Sequence, residues 1–424
     1  MKRPTPASLK KVTPENLTKL GADRLADILA AVAEGRPDLK RRLRMELAAA
    51  QGAEHLALEI DKRLGSLQAS RSKVSWRQRA AFIRDLGALR ALIAGRLAEL
   101  DAAGGAARMW MFLALARPLE ARVRDRDGAV ERVFASAAED LGRMVRAGAG
   151  EETASALADA ALGDPPRWNA WLPIVLDGAP PSLARAALAD IAARHNAVPG
   201  WMPIVRRLAD AAGDVDAYRA TYSAAALKTP KVAADVAQRW LAAGRVEAAG
   251  DILSAAAPPS AKAGSAGKTE IAEPDFDWET AWIDYLERSE RFEDAQAVRW
   301  ASFERTLSTE RARAFTQRLT GFDDVEAESR AFSLAMTHPD FEPALRFLME
   351  WPALTEAAQL IETRAEDVQS KPEDAELWAA RLRTRQPTAA RILLRKAAAA
   401  ALRQRSFEVS ERLSAEADAI DAAA

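Results

Sequence analysis

A five-residue pattern of tryptophan, an apolar residue, proline, isoleucine and valine occurs twice in this chain. Residues 171–175 read WLPIV, and residues 201–205 read WMPIV thirty residues further on. Similarity at a fixed period of about 20 to 50 residues indicates a repeat architecture. The pattern therefore predicts that this part of the chain is built from similar helix–turn–helix units.

A shift of 31 residues continues the repeat. It places Gly213 on Gly244, and it places residues 215–217, VDA, on residues 246–248, VEA. Glycine is common directly after a helix, where the backbone turns into a left-handed conformation. This shift predicts a glycine turn followed by a new helix in two successive units.

A shift of 46 residues places residues 245–247, RVE, on residues 291–293, RFE. The additional length corresponds to residues 257–275, whose proline, glycine, serine and alanine content is typical of a flexible insert. One helical pair cannot bury its apolar face alone, but stacked pairs can. We therefore expect a right-handed α-solenoid in this part of the chain.

Apolar residues recur with the period of a helix in almost every stretch, and alternation typical of strands is scarce. We predict an all-α protein, with an amino-terminal helical domain at 1–148 and a tetratricopeptide-like α-solenoid at 149–424. Near the start, Thr13 and Pro14 predict a capped helix. Two short helices that end at Gly35 should then pack through one apolar face, formed by Leu17, Leu20, Leu25, Ile28 and Val32.

Composition argues against several classes of function. The chain has 424 residues, no cysteine and a net charge of −1. It has three histidines, His55, His195 and His338, which are too far apart for a local metal-binding motif. No apolar run approaches the roughly 20 residues of a membrane helix. We expect a cytoplasmic protein with no membrane contact, no metal and no cofactor.

No sequence motif in the chain strongly indicates a particular chemistry. Residues 267–269, GKT, resemble the end of a phosphate-binding loop, but the glycine that the motif needs five residues before Gly267 is Lys262. Acidic residues are frequent without the spacing of a calcium loop. We predict no catalytic residues and no enzymatic activity, although a carboxylate site formed in space would not be visible in the sequence.

Charge is distributed unevenly along the chain. Residues 36–96 hold 14 Lys or Arg against 6 Asp or Glu, whereas residues 273–330 hold 8 against 15. The basic segment predicts a patch for phosphate or for an acidic partner. Its members would be Arg41, Arg42, Arg44, Arg71, Lys73, Arg77 and Arg84.

Two other arginines in this segment have a structural interpretation. On a helical wheel of residues 76–100, Arg79 and Arg90 fall within the apolar arc of Leu86, Leu89 and Ile93. Arginine can lay its aliphatic stem on a core while its charged end reaches an acid. We expect Arg79 and Arg90 to pair with acids of neighbouring helices.

The tryptophans admit two interpretations. At repeat spacing they serve as packing anchors, and on the concave face of a solenoid they could hold a peptide. Trp240, Trp282 and Tyr285 form our candidate groove. The spacing of Trp282, Tyr285 and residues 291–295, RFEDA, is similar to a tetratricopeptide repeat.

Both ends of the chain resemble one uncharacterised bacterial family, which carries only a domain-of-unknown-function label. The resemblance rests on residues 20–26, 40–47, 70–77 and 386–395. The helix after the last of these often carries tyrosine and histidine in that family, whereas Phe407 and Val409 occur here. The resemblance implies a helical, partly tetratricopeptide-like protein and carries over no catalytic residue.

These observations predict a non-enzymatic scaffold or adaptor that binds another protein or a peptide through a helical-repeat surface. The alternative is a nucleic-acid-binding protein that uses residues 36–96.

Overall fold

A computed structural model describes residues 12–123, 125, 127–148, 151–194, 200–258 and 275–423. The chain divides into two compact units, residues 1–222 and 223–424. In the described residues all regular secondary structure is helical, so the predicted all-α class is confirmed. No helix in these ranges is long and apolar enough to span a bilayer.

The helices described in the first unit have three to 19 residues. They are α1 (Pro14–Leu17), α2 (Ala22–Glu34), α3 (Pro37–Gln51), α4 (Ala53–Ala69), α5 (Trp76–Leu92), α6 (Ala98–Leu100), α7 (Ala102–Ala114), α8 (Ala116–Glu120), α9 (Ala129–Ala147), α10 (Glu151–Gly163), α11 (Pro165–Leu176), α12 (Pro181–Ala193), α13 (Trp201–Ala212) and α14 (Val215–Ala220).

The described residues of the second unit are also organised into helices. They are α15 (Pro230–Ala242), α16 (Val246–Ala255), α17 (Phe276–Arg288), α18 (Phe292–Thr306), α19 (Thr309–Thr316), α20 (Asp323–Thr337), α21 (Phe341–Glu350), α22 (Leu354–Thr363), α23 (Pro372–Leu382), α24 (Pro387–Arg403) and α25 (Phe407–Ala423).

The amino-terminal helices form as the sequence predicts, but their apolar face does not pack as expected. Thr13 caps α1 through a hydrogen bond from the Asn16 amide (3.4 Å), and α2 ends before Gly35. Leu20 and Val32 nevertheless keep 47% and 49% of their surface exposed. The expected burial is wrong because, among the described elements, α2 packs substantially only against the turn before it and α3.

In the first unit the later helices pack in two alternating rows. Helices α9, α11 and α13 lie side by side, as do α10 and α12, and α10 also packs against α11 and α12 against α13. Phe112 and Phe134 are completely buried with ring centroids 5.1 Å apart. The predicted boundary after residue 148 lies within this unit, where α9 packs against α11.

The two copies of the tryptophan–proline pattern occupy different positions in their helices. Pro173 lies inside α11, whereas Pro203 is the third residue of α13. The helices that carry the two copies begin at Pro165 and Trp201, so the unit here is longer than thirty residues. The thirty-residue register is wrong because proline at the start of α11 and the left-handed Gly200 before α13 determine the helix starts.

The shifts of 31 and 46 residues correspond to one recurring turn. Gly213, Gly244 and Glu290 all adopt a left-handed backbone (φ 66°, 76° and 61°), and each stands two residues before a new helix. In each case the following amide donates to the carbonyl five residues back, at 2.8–2.9 Å. This pattern is the Schellman motif, which satisfies carbonyls at a helix end. Arg405 forms the same turn before α25.

Glu290 offers a direct test of this turn, because a left-handed residue other than glycine costs about 1–2 kcal/mol. We expect Glu290→Gly to raise the free energy of unfolding by about 0.5–1 kcal/mol, after the larger unfolded-state entropy of glycine is counted. Urea denaturation of the full chain measures the change. The matched control, Gly244→Ala, should lower stability by about 1 kcal/mol. A loss of stability in Glu290→Gly would show that the glutamate makes a contact that outweighs the strain.

Candidate functional site

The predicted basic residues lie on three neighbouring segments. Arg41, Arg42 and Arg44 are on α3, Arg71 and Lys73 precede α5, and Arg77 and Arg84 are on α5. All of these side chains are exposed except Arg41, which is half-buried. The exposed six make no ion pair with a described residue.

One carboxylate, that of Asp85, connects three helices beside the predicted basic residues. Asp85 of α5 accepts hydrogen bonds from Arg41 of α3 (3.5 Å) and from Arg63 of α4. Both arginines are partly withdrawn from solvent, and Arg63 is only 16% exposed. Arg41 therefore has a structural partner, and Arg63 joins the cluster although the sequence analysis did not select it.

The expected helix partner of Arg90 is confirmed, whereas Arg79 pairs with acids of the loop before α9 and not with a helix. Arg79 bonds Asp127 and lies 3.7 Å from Asp125. Arg90 donates to the buried Asp140 (2.9 Å). These two arginines connect α5 to neighbouring segments and do not contribute to a free basic surface.

The predicted groove residues pack between α15, α16 and α17. Trp282 lies between Trp278 (5.6 Å, nearly parallel) and Tyr285 (5.0 Å between centroids). A Cβ on Gly250 would lie 2.5 Å from the Tyr285 ring, so the ring rests on the backbone of α16. Trp240 joins the same cluster, and all three predicted residues are half-buried. The peptide-binding role of this cluster stays a prediction.

A long groove in the first unit was missed by the sequence analysis. Two neighbouring cavities of about 1000 and 540 Å³ share the lining residues Trp110 and Ala156. The larger cavity lies among α7, α9 and α10. Eight of its lining residues are alanines: Ala94, Ala98, Ala102, Ala103, Ala106, Ala107, Ala147 and Ala156.

Aromatic rings line the smaller cavity, beside this alanine groove. Trp110 stacks on Trp168 (5.5 Å, 23°), and Trp168 meets Trp171 edge-on (5.6 Å). Arg167 lies over the Trp171 ring and makes two hydrogen bonds to Glu120 (2.6 and 2.7 Å). Those bonds raise the pKa of Arg167, with a further contribution from Asp164, so its charge is permanent.

The segment from Trp76 to Leu100, predicted as one helix, contains a π turn at Ile93–Leu97. Such turns are common at functional sites because they re-aim side chains. Ala94 faces the alanine groove, and Arg96 faces a separate cavity beside Asp85. The turn therefore presents residues to two concave surfaces.

A buried charged network lies in the second unit. Glu279, 4% exposed, pairs with Arg305 and accepts a hydrogen bond from Ser302 (2.8 Å). Arg311, also 4% exposed, donates to the same serine hydroxyl (3.2 Å). Nearby, burial raises the pKa of Asp284, and the charge of Glu287 adds to this effect.

The remaining sequence candidates make no site in the described ranges. His55 is exposed on α4, and His338 lies in a turn where its Nδ1 accepts from the Asp340 amide (3.1 Å). His195 and residues 267–269 lie outside the described residues, as does almost all of the predicted insert. Within the part that the structure describes, no group of three or more His, Asp or Glu side chains could hold a metal ion.

Comparison with known protein families shows which family this chain belongs to. The profile of a family of unknown function, DUF6880, matches residues 7–169 and 178–421. The chain belongs to the DUF6880 family. The DUF6880 match covers both ends, in agreement with the resemblance predicted from the sequence. No curated protein and no solved structure gives a significant match.

Proposed function

We propose that this protein is a non-enzymatic helical-repeat scaffold that binds an amphipathic helical segment of a partner protein. The observation that carries the proposal is the alanine groove, which lies beside a second cavity lined by Trp110, Trp168 and Trp171.

The alanine floor favours a helix as the occupant. Distances between packed helices depend on the side chains at the contact, and small residues permit close approach. Ala102, Ala103 and Ala107 are exposed on α7, and they face α10 across the groove. Because α10 has 13 residues, the groove wall is about 20 Å long, enough for three to four helical turns.

The neighbouring tryptophan-lined cavity supplies an anchor site for a large apolar side chain. Trp168 and Trp171 are almost completely buried, and Trp168 holds the half-buried Trp110 ring by stacking, so Trp110 offers the accessible surface. Rigid aromatic pockets of this kind carry much of the binding energy at protein interfaces.

Charged residues of both signs line the groove and the cavity beside it. The linings of the two cavities include Arg143 of α9, Arg117 of α8, and Glu152 and Asp159 of α10, of which Arg143 and Asp159 already pair with Asp140 and Arg194. Complementary charges on an amphipathic helix would fix its direction. The partner segment should therefore carry both acidic and basic residues.

The recurring turn supports the solenoid part of the proposal. Helices α15 and α16 form one hairpin through the Gly244 turn, and α15 also packs against α17 of the next hairpin. Near the carboxyl terminus, α24 contacts α22, α23 and α25. Contacts between alternate helices are typical of stacked helical pairs, and we infer a tetratricopeptide-like stack in the second unit.

Filling the groove should abolish partner binding. Ala107→Trp places an indole on the exposed alanine floor, and Ala186→Trp is the matched control at an exposed position on α12. We expect a quantitative pull-down from the native host to lose a specific protein with Ala107→Trp and to retain it with Ala186→Trp. A synthetic peptide from that protein should gain helicity on binding. Equal recovery of all proteins by both variants would refute the groove.

A second candidate function is nucleic-acid binding, favoured by the six exposed basic residues that lack described ion pairs. Charge reversal at Arg71, Arg77 and Arg84 should then abolish binding, and affinity should fall steeply with salt. A pull-down treated with nuclease separates the two functions, because only nucleic-acid-dependent material would disappear. Salt-insensitive binding would exclude this candidate.

A further inference from the structure

A separate small cavity lies among α3, α4, α5 and the π turn. It has a volume of about 300 Å³, and four arginines line it: Arg41, Arg42, Arg63 and Arg96. Two carboxylates, Asp85 and Glu46, also line the cavity, which leaves an excess of positive charge. None of these residues lines the alanine groove.

Two hydrogen-bond donors of the arginines that line this cavity have no partner among the described residues. Arg41 and Arg63 each bond Asp85 through a terminal nitrogen, yet the Nε–H group of each is buried and has no acceptor in the structure. Buried donors in native proteins almost always have a partner, and an exception calls for an explanation. Both orphan donors belong to guanidinium groups whose position is fixed by the same carboxylate.

The two other arginines could reach a ligand without losing a strong partner. Arg42 is exposed and makes no described ion pair, and Arg96 has only a long contact to Glu99 (3.6 Å). An acceptor in the cavity would therefore face donors from four guanidinium groups. Arginine forms its strongest hydrogen bonds with carboxylates and phosphates.

We propose that Arg41, Arg42, Arg63 and Arg96 bind the phosphate group of a small phosphorylated molecule. A phosphate presents three or four oxygens around one centre, so it can accept from several guanidinium groups that approach from different directions, whereas the two oxygens of a carboxylate lie in one plane. The double negative charge of a phosphate matches the surplus of arginines. The cavity is at the lower limit of small-molecule sites, so it suits a phosphate with a small substituent.

Calorimetry on the full chain tests this assignment, with inorganic phosphate and glycerol 3-phosphate as probes and ionic strength held constant with chloride. We expect saturable binding by the wild-type chain. Arg42→Gln and Arg96→Gln should each weaken it about tenfold, because each removes a charge-assisted hydrogen bond. Arg44→Gln is the matched control, since Arg44 is exposed on the same helix and does not line the cavity.

Arg63→Lys tests the orphan donor itself. Lysine keeps the charge beside Asp85 but has no donor equivalent to Nε–H, so phosphate affinity should fall while the folded state persists. Tighter binding of glycerol 3-phosphate would identify an ester as the ligand, and equal binding would identify free phosphate.

Two results would overturn the proposal. The first is a response to phosphate no larger than the response to chloride. The second is an equal loss of affinity in Arg44→Gln and Arg42→Gln, which would indicate general attraction by the basic surface. Binding of a thymidine oligonucleotide without phosphate binding would assign these arginines to nucleic acid. The Ala107→Trp test of the proposed groove uses residues that do not line this cavity. A negative result in one of the two tests therefore does not count against the other proposal.

Discussion

Replacing Glu279 with alanine should lower the free energy of unfolding by about 3–5 kcal/mol. The reason is that Glu279, 4% exposed, pairs directly with Arg305 and shares Ser302 with Arg311, which is equally buried. Removal of one member of a buried pair leaves the other charge without compensation in a poorly solvated site. Arg311 would keep its bonds to the Phe276 carbonyl (3.1 Å) and Thr280 (2.7 Å) but lose the nearby negative charge.

Urea denaturation of the full chain measures this loss. Asp418→Ala is the matched control, because Asp418 pairs with Arg395 at the surface (71% and 57% exposed) and should contribute less than about 1 kcal/mol. The double variant Glu279→Leu with Arg311→Met should recover much of the loss, since apolar groups of similar volume can replace a buried pair. Equal, small losses in Glu279→Ala and Asp418→Ala would contradict the network.

Replacing Gly142 with valine should lower stability by about 3 kcal/mol. A Cβ at Gly142 of α9 would lie 2.9 Å from the Ile174 carbonyl oxygen and 3.3 Å from the Val175 Cα. Both atoms are backbone of α11, so the two helices would have to separate. Gly142→Ala should already be destabilising, although alanine favours helix formation by about 1 kcal/mol over glycine.

Substitution of Gly87, in the same unit, should have the opposite effect on stability. Gly87 lies inside α5, and a Cβ there would meet no atom within 4 Å. Gly87→Ala should therefore raise stability by up to about 1 kcal/mol. Thermal and urea unfolding of both alanine variants would measure the contrast. Stabilisation by Gly142→Ala would mean that α9 and α11 do not approach so closely.

Local features of the fold were predictable because they depend on neighbouring residues. The cap at Thr13, the helix end at Gly35 and the turns at Gly213 and Gly244 all follow from side chains within a few positions. The repeat also located the turn at Glu290, although glutamate itself gives no turn signal. The position of residues 171–175 and 201–205 within their helices was not predictable from the repeated pattern alone, because upstream capping residues determine where each helix begins.

The concave surfaces could not be predicted because they join distant segments. Ala107 of α7 and Ala156 of α10 share a cavity although they are far apart in sequence. An alanine in a helix gives the same signal whether it faces a groove, a neighbour or solvent. Arg63 illustrates the same limit, since only the position of Asp85 makes its Nε–H group noteworthy. By contrast, the partners of Arg90 were expected because an arginine within an apolar arc needs an acid.

The most direct test of the central claim is a photo-cross-linking experiment in the native host, with a photoreactive phenylalanine derivative at position 107 or, as the control, at position 186. A helix bound in the alanine groove predicts cross-links from position 107 to one partner, at residues three or four apart within a short segment. Position 186 should give none of these products. Identical products from both positions, or none from position 107 while the protein remains folded, would contradict the account.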